Sequence, residues 1–144
     1  MKKNREVEVQ KTIGNSIETK YQLKQIELNN FTLIPPSEMP QEFEFDVQIK
    51  QRIQAKENLV VVSITLGIKN PQDIALGNVS LLCVFEVENL EELVKNKNSM
   101  KDLGLVLNTI TIATARGVMF GLFRGTFLHN AILPIVDVQV LQNN

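Results

Sequence analysis

Three consecutive segments between residues 42 and 88 alternate apolar and polar residues, and this alternation constrains the fold more than any other feature of the sequence. Successive side chains of a β-strand point to opposite faces of a sheet, so a period of two predicts strands with one buried face. The segments are Glu42–Lys50, Leu59–Lys69 and Ile74–Glu88, and the last two are separated by the turn residues Asn70–Asp73. Because short or moderate loops join them in one run, they predict an antiparallel sheet with one face buried.

A further strand is predicted ahead of these three, over Tyr21–Leu33. Its apolar residues alternate at both ends, but Asn29 and Asn30 in the middle predict a bulge or a change of phase. The strand ends at the proline-rich segment Ile34–Pro40, because proline cannot donate to a β-ladder. The sheet is therefore expected to have four strands.

A long helix is predicted after the strands, from near Met100 to a C-terminal stop at Gly125. Ser99 and Asp102 have the spacing of a capping box, which would start this helix. The segment Leu107–Ala113 also alternates like a strand. The apolar region around it is too long for one strand, so the helix is favoured.

The predicted helix is apolar nearly all round, and a four-stranded sheet covers only one side of it. Ala113, Gly117 and Gly121 lie at positions i, i+4 and i+8 and form a stripe of small residues that lets another element approach closely. The segment Leu103–Phe123 has the length of a membrane span, but Arg116 within it makes burial in protein the better fit. We therefore predict a homo-oligomer with this stripe in its interface.

Composition bears on the kind of partner that the protein binds and on its location in the cell. The chain has 144 residues and a net charge of −1 at pH 7, so no overall charge favours nucleic acid or an anionic membrane as partner. The single cysteine, Cys83, lies in an apolar run and is predicted to be a buried thiol.

Residues 1–20 are predicted to form a polar arm, either frayed or a short lead-in strand, before a single domain over residues 21–144. The charged N-terminus has no apolar segment behind it, which predicts a cytoplasmic protein.

Residues that could carry catalysis are sparse. The single histidine, His129, has no Cys, Asp or Glu at metal-ligand spacing around it. The chain holds no GxGxxG, P-loop or HExxH motif, and no Ser or Cys in a nucleophile elbow. Glu86 and Glu88 share a strand face, where solvent-facing acids are far commoner than an acid–base pair. We predict no enzymatic activity, no catalytic residue, no metal and no cofactor.

The loop that follows the predicted helix, Arg124–Pro134, is unusual because loops are normally polar and this one is apolar. Two interpretations are open for it: the loop lies back on the sheet as part of the core, or it borders an apolar groove. Its apolar residues are Phe127, Leu128, Ala131, Ile132 and Leu133.

Three motifs, taken in order, resemble the SecB export-chaperone family. Tyr21–Pro36, YQLKQIELNNFTLIPP, looks like the opening strand of that family, and Leu81–Cys83 lies in the fourth strand as it does there. Ala115–Arg116 is followed by Arg124–Phe127 and then by an apolar loop that closes at Pro134. The resemblance covers residues 21–136.

The resemblance implies an α+β fold, a four-stranded antiparallel sheet with one long helix packed on one face. It also implies a homotetramer, a dimer of dimers with the helices between the sheets. The implied function is that of an ATP-independent holdase for protein transport, which binds unfolded or nascent polypeptides in apolar grooves between the sheet and the helix-plus-loop segment. By position, the candidate groove residues are Phe43, Phe45, Phe85, Phe127, Leu128, Ile132 and Leu133.

The resemblance also names two specific partners. Shortened members of the family chaperone the antitoxin of a toxin–antitoxin system, so a dedicated binding module for one such client is the alternative function. The export chaperone docks the translocation ATPase SecA through acidic residues of its first strand. At those positions this sequence has Asn30 and Ile34.

Overall fold

The fold is α+β, and the computed structural model describes residues 9–13 and 17–142. Every pair of neighbouring strands is antiparallel, and the strand order is β1-β2-β5-β4-β3. This confirms the predicted four-stranded antiparallel sheet with one long helix, to which β1 adds a short fifth strand. The elements are β1 (Val9–Ile13), β2 (Ile17–Leu33), β3 (Glu44–Gln54), β4 (Leu59–Lys69), β5 (Ala75–Val87), α1 (Leu90–Val94), α2 (Lys97–Phe123) and α3 (Val138–Gln142).

The strand bounds follow the alternation in the sequence, except at the N-terminal end and in β3. The predicted bounds of β3 are Glu42–Lys50, but the strand runs Glu44–Gln54 because its pairing with β4 continues to Gln54. β2 begins at Ile17, inside the stretch predicted as an arm, and Val9–Ile13 pairs with its first residues, as the lead-in strand interpretation expects. The rest of the predicted arm, residues 1–8 and 14–16, lies outside the described residues. The turn at Asn70–Asp73 forms as predicted, because the Asn70 side chain accepts hydrogen bonds from the backbone N–H groups of residues 72 and 74.

Two bulges in β2 keep its apolar side chains on one face. The register against β5 shifts once between Leu23 and Gln25 and again between Leu28 and Asn30, which confirms the predicted change of phase at the second position. Each bulge adds one residue to the strand, so alternation restarts on the same face beyond it. As a result four apolar residues of β2 lie opposite buried residues of β5, in the pairs Leu23–Phe85, Ile26–Cys83, Leu28–Leu81 and Phe31–Val79.

The core lies between α2 and the two central strands, β4 and β5. Full burial of an aliphatic or aromatic side chain stabilises a fold by about 1.5–3 kcal/mol. Packing of α2 against these two strands therefore contributes much of the stability of the fold. Cys83 is fully buried here as predicted, and desolvation raises the pKa of its thiol, which keeps it protonated at neutral pH. The helix contributes Leu103, Leu107, Ile112, Ala115, Met119 and Phe123 to this core.

The start of α2 differs from the predicted capping box. The helix begins at Lys97, and its N-cap is Asn96, whose side-chain oxygen accepts a hydrogen bond of 3.2 Å from the Ser99 backbone N–H. Ser99 lies inside the first turn and its backbone N–H is bound by the Asn96 cap, so Ser99 is not the N-cap, and the predicted start near Met100 is wrong. The helix ends at Phe123, and Gly125 has a φ of 78°, the left-handed conformation of a C-terminal stop, as predicted.

The middle of α2, including Leu107–Ala113, is helical rather than extended, as favoured from the sequence. By length and composition α2 could cross a membrane, a test that the core helix of a soluble protein also passes. One side of α2 is buried against β4 and β5. Its apolar residues on that side are therefore accounted for by packing on the sheet.

Gly77 in β5 lets the loop after α2 lie close to the sheet. A Cβ atom on this residue would lie 2.9 Å from Leu128 Cδ1 and 3.0 Å from the Thr32 carbonyl oxygen. Gly77→Ala is therefore expected to lower the free energy of unfolding by about 1–3 kcal/mol, because the added methyl overpacks the site. Urea denaturation measures this change.

The matched control for that substitution is Gly67→Ala in β4. A Cβ atom there would lie 3.7 Å from the nearest atom, which is an ordinary contact. We expect this control to change the unfolding free energy by less than about 1 kcal/mol. Equal losses in the two variants would contradict the close approach of the loop.

Candidate functional site

One helix is too narrow to cover the apolar face of this sheet. A helix with its side chains is about 10 Å across and neighbouring strands lie about 4.8 Å apart, so one helix covers about two strands. α2 packs against the central strands β4 and β5. The strands on either side of them, β2 and β3, carry apolar side chains on the same face, and these are left partly uncovered.

Four large apolar residues of β2 form a row on this face, which we call the β2 strip: Leu23, Ile26, Leu28 and Phe31. They are 36%, 49%, 45% and 37% exposed, although their partners on β5 are fully buried. The Phe31 ring packs against the Phe123 ring at the end of α2, with 5.9 Å between the ring centroids. Contiguous exposed apolar surface of this kind marks an interaction site more often than a structural one.

β3 flanks α2 on the other side, and its apolar residues are better covered than those of β2. Phe45, Val47 and Ile49 lie opposite buried residues of β4 and are half-buried against the core. Phe43, just before the strand, is also half-buried. Phe43 and Phe45, two of the four phenylalanines predicted to bind peptide, therefore pack against the core with part of their surface exposed.

Three of the seven residues predicted to line a groove belong to the core instead. Phe85, Leu128 and Leu133 are fully buried, so they have no surface to offer a ligand. Phe85 faces α2 from a central strand, and the two leucines are carried inward by the loop after the helix. The predicted residues that keep exposed surface are Phe43, Phe45, Phe127 and Ile132.

The loop after α2 lies back on the sheet, which is the first of the two interpretations left open above. The Arg116 guanidinium donates hydrogen bonds of 2.9 Å to the carbonyl oxygens of both Leu133 and Pro134, which holds the end of the loop against the helix. Leu128 and Ala131 are buried, whereas Ile132 is exposed. The loop therefore closes one end of the core and presents only part of its apolar surface.

The small-residue stripe of α2 lies on the exposed side of the helix. Ala113, Gly117 and Gly121 are all exposed, and a Cβ atom on either glycine would have no atom within 4 Å. Phe120, beside them, is exposed as well. The stripe is therefore not used for packing within the subunit, and its role as an oligomer interface stays a prediction.

The exposed charges of β3 lie on the opposite face of the sheet. Its charged residues Glu44, Asp46, Lys50 and Arg52 are all exposed and alternate with residues of the helix-bearing face. Glu86 forms an ion pair of 3.7 Å with Lys24, as expected of a solvent-facing acid. Within the described residues, no three His, Cys, Asp or Glu side chains come together as metal ligands would. The arrangement on the helix-bearing face is suited to contact with apolar side chains rather than to acid–base chemistry.

Sequence reasoning named none of the four β2 strip residues as a candidate binding surface, and it assigned no face to Ile26 and Leu28. Their side chains share a face with the core residues only because of the first bulge, at Lys24, and a lysine within a strand gives no signal of a bulge. The sequence did contain one signal for this surface. Tyr21–Leu33 holds more large apolar residues than one helix, which covers about two strands, can bury.

Comparison with known proteins gives a likeness of structure. No protein-family model matches the chain, and no curated protein sequence matches it. Among solved structures, the chain is similar to the SecB-like chaperone of Mycobacterium tuberculosis in complex with a ChAD peptide from the HigA1 antitoxin. The two chains are 15% identical, the match covers 81% of this chain and 90% of that chain, and the TM-score is 0.58. The chain therefore has a SecB-like fold.

Proposed function

We propose that this protein is an ATP-independent chaperone that holds unfolded or nascent polypeptide on the β2 strip beside α2. The observation that carries this proposal is the strip itself, four large apolar side chains that are 36–49% exposed on the sheet face against which α2 packs. The SecB-like fold supports it, because the structure of the M. tuberculosis protein contains a bound peptide. In this proposal the protein has no enzymatic activity.

The strip is suited to many sequences rather than to one. Covering the remaining half of an Ile or Leu side chain is worth about 1 kcal/mol, and ordering the client offsets part of that gain. A single strip therefore binds weakly and without hydrogen-bond specificity, as a surface for varied clients requires. Several strips in one oligomer would raise the overall affinity for a long client by avidity.

The oligomer that we propose is a dimer of dimers in the cytoplasm. Its interface would use the exposed stripe of Ala113, Gly117 and Gly121, where small side chains permit close approach of another helix. This arrangement would cover the outward side of α2, where no atom of the described residues lies within 4 Å of a Cβ at either glycine.

Aggregation of a chemically denatured enzyme provides the direct test of this function. Diluted into buffer at one oligomer per client, the denatured enzyme is expected to scatter less light when this protein is present, with or without ATP. Serum albumin at equal mass is the control. Light scattering that matches the albumin control would refute the holdase proposal.

A dedicated module for one client is the second candidate function, and the antitoxin peptide bound to the M. tuberculosis protein favours it. Affinities for several unrelated unfolded proteins separate the two candidates. Values within about tenfold of each other indicate a holdase, whereas one client bound more than about a hundredfold tighter indicates a dedicated module.

Delivery to SecA has less support, because Asn30 offers an amide rather than a carboxylate. This amide donates a hydrogen bond of 3.3 Å to the Asn78 side chain.

A further inference from the structure

A cleft of about 340 Å³ lies between β3 and the first turns of α2, away from the β2 strip. Its apolar lining comes from Ile53 of β3, Val94 of α1 and Met100 of α2. Ile53 and Val94 are 40% and 39% exposed, so the cleft offers apolar surface that the subunit does not cover. Lys97 and Lys101 of α2 also line it.

The wall formed by β3 is fixed to the helix by a polar contact. The Gln51 side-chain amide donates hydrogen bonds of 2.9 Å to the Gly104 carbonyl oxygen and 2.6 Å to the Asn108 Oδ1 atom. Asn108 is buried, so loss of this contact would leave a buried polar group unpaired. The cleft is therefore held open in a defined shape, which lowers the cost of ordering it on binding.

The two lysines place two positive charges in the lining of the cleft. In the part of the chain that the structure describes, neither Lys97 nor Lys101 forms an ion pair. Both lie near the N-terminus of α2, where the helix dipole disfavours cations, and the first turn of the helix holds no acidic residue. Helix stability therefore does not account for lysines at these positions.

We propose that this cleft is a second client site, which binds an extended segment that carries acidic residues among apolar ones. The inference rests on the proposed chaperone function and adds a preference for one class of client sequence. An apolar side chain of the client would contact Ile53 and Val94, and two carboxylates would accept charge-assisted hydrogen bonds from Lys97 and Lys101. Alternate residues of an extended chain are about 6.8 Å apart and helix positions i and i+4 about 6 Å apart, so acidic residues at alternate positions match the two lysines.

Two short fluorescein-labelled peptides test this preference by fluorescence anisotropy at low ionic strength. One alternates Val and Glu, and the other has Gln in place of every Glu. The variant with both Lys97→Gln and Lys101→Gln is expected to bind the Glu peptide about tenfold more weakly and the Gln peptide within about twofold of the parent chain. Ile53→Ser is expected to weaken both peptides.

The matched control removes the same charge elsewhere, with Lys50→Gln and Lys56→Gln, both exposed and outside the cleft. It is expected to bind both peptides like the parent chain. An equal loss of the Glu peptide in this control, or an equal loss of both peptides in the cleft variant, would overturn the proposed site.

Two further outcomes distinguish this site from the chaperone function and from a simple anion site. If the parent chain suppresses aggregation and binds the Gln peptide but shows no preference for the Glu peptide, the cleft proposal is wrong and the holdase stands. If it neither suppresses aggregation nor binds either peptide, both proposals fall. Inorganic phosphate at matched ionic strength should not displace the Glu peptide, and displacement would identify an anion site rather than a peptide site.

Discussion

Replacement of Ile26 and Leu28 together by serine is expected to weaken client binding by roughly ten- to thirtyfold. Both side chains are about half exposed, and completing the burial of each against a client is worth up to about 1 kcal/mol. Suppression of aggregation should be largely lost at one oligomer per client. Anisotropy with an uncharged apolar peptide measures the change in affinity directly, and circular dichroism verifies that the variant is folded.

The matched control replaces two exposed isoleucines outside the strip, Ile74→Ser and Ile135→Ser. These residues are 56% and 95% exposed, so the control removes more exposed apolar surface than the strip variant does. It is expected to bind clients and suppress aggregation like the parent chain. If both double variants lose activity equally, binding depends on total apolar surface and not on the β2 strip.

Gly117→Leu is expected to break the oligomer while it leaves the subunit folded. Within the subunit a Cβ atom at this position meets no other atom within 4 Å, and leucine in place of glycine favours a helix by about 0.8–1 kcal/mol. If another helix packs on the stripe, the added side chain has no room there. Light scattering coupled to size-exclusion chromatography should show a smaller species with unchanged helix content.

Gly117→Ala is the graded control for this substitution. It adds one methyl group, keeps the stripe small and raises helix propensity, so the oligomer should persist with equal or greater thermal stability. A Gly117→Leu variant with the mass of the parent oligomer would place the interface on another surface of the subunit.

The sheet and the long helix could be predicted because one face of each is buried against the other. β4 has the predicted bounds Leu59–Lys69, since all five of its inward residues are apolar and its outward ones include Ser63, Thr65 and Lys69. The alternation of apolar and polar residues was sufficient to predict strands. The length of the apolar segment over α2 was sufficient to predict a helix there. Gly125 identified the helix end because a left-handed residue is needed there.

The predictions that were wrong depended on which of several similar residues faces inward. Asn96 and Ser99 are both good N-caps, and the choice between them depends on where the backbone becomes helical, which is directly after the extended Asn96. Among the apolar residues of the loop, Leu128 and Leu133 are buried and Ile132 is not, a choice that the packing of the loop on the sheet determines. Phe85 was predictable as core, because it alternates with Leu81 and the other buried residues of β5.

The two bulges make β2 tolerant of changes in its length. Lys24 and Asn29 are the extra residues at the register shifts, and if either were removed, the neighbours on both sides would still alternate in phase. Loss of Asn29, for example, places Asn30 on the polar face and Phe31 on the apolar face, as they are now. Homologous chains can therefore differ by a one-residue gap at either site without exchanging the two faces, and alignments of this strand should allow gaps there and nowhere else along it.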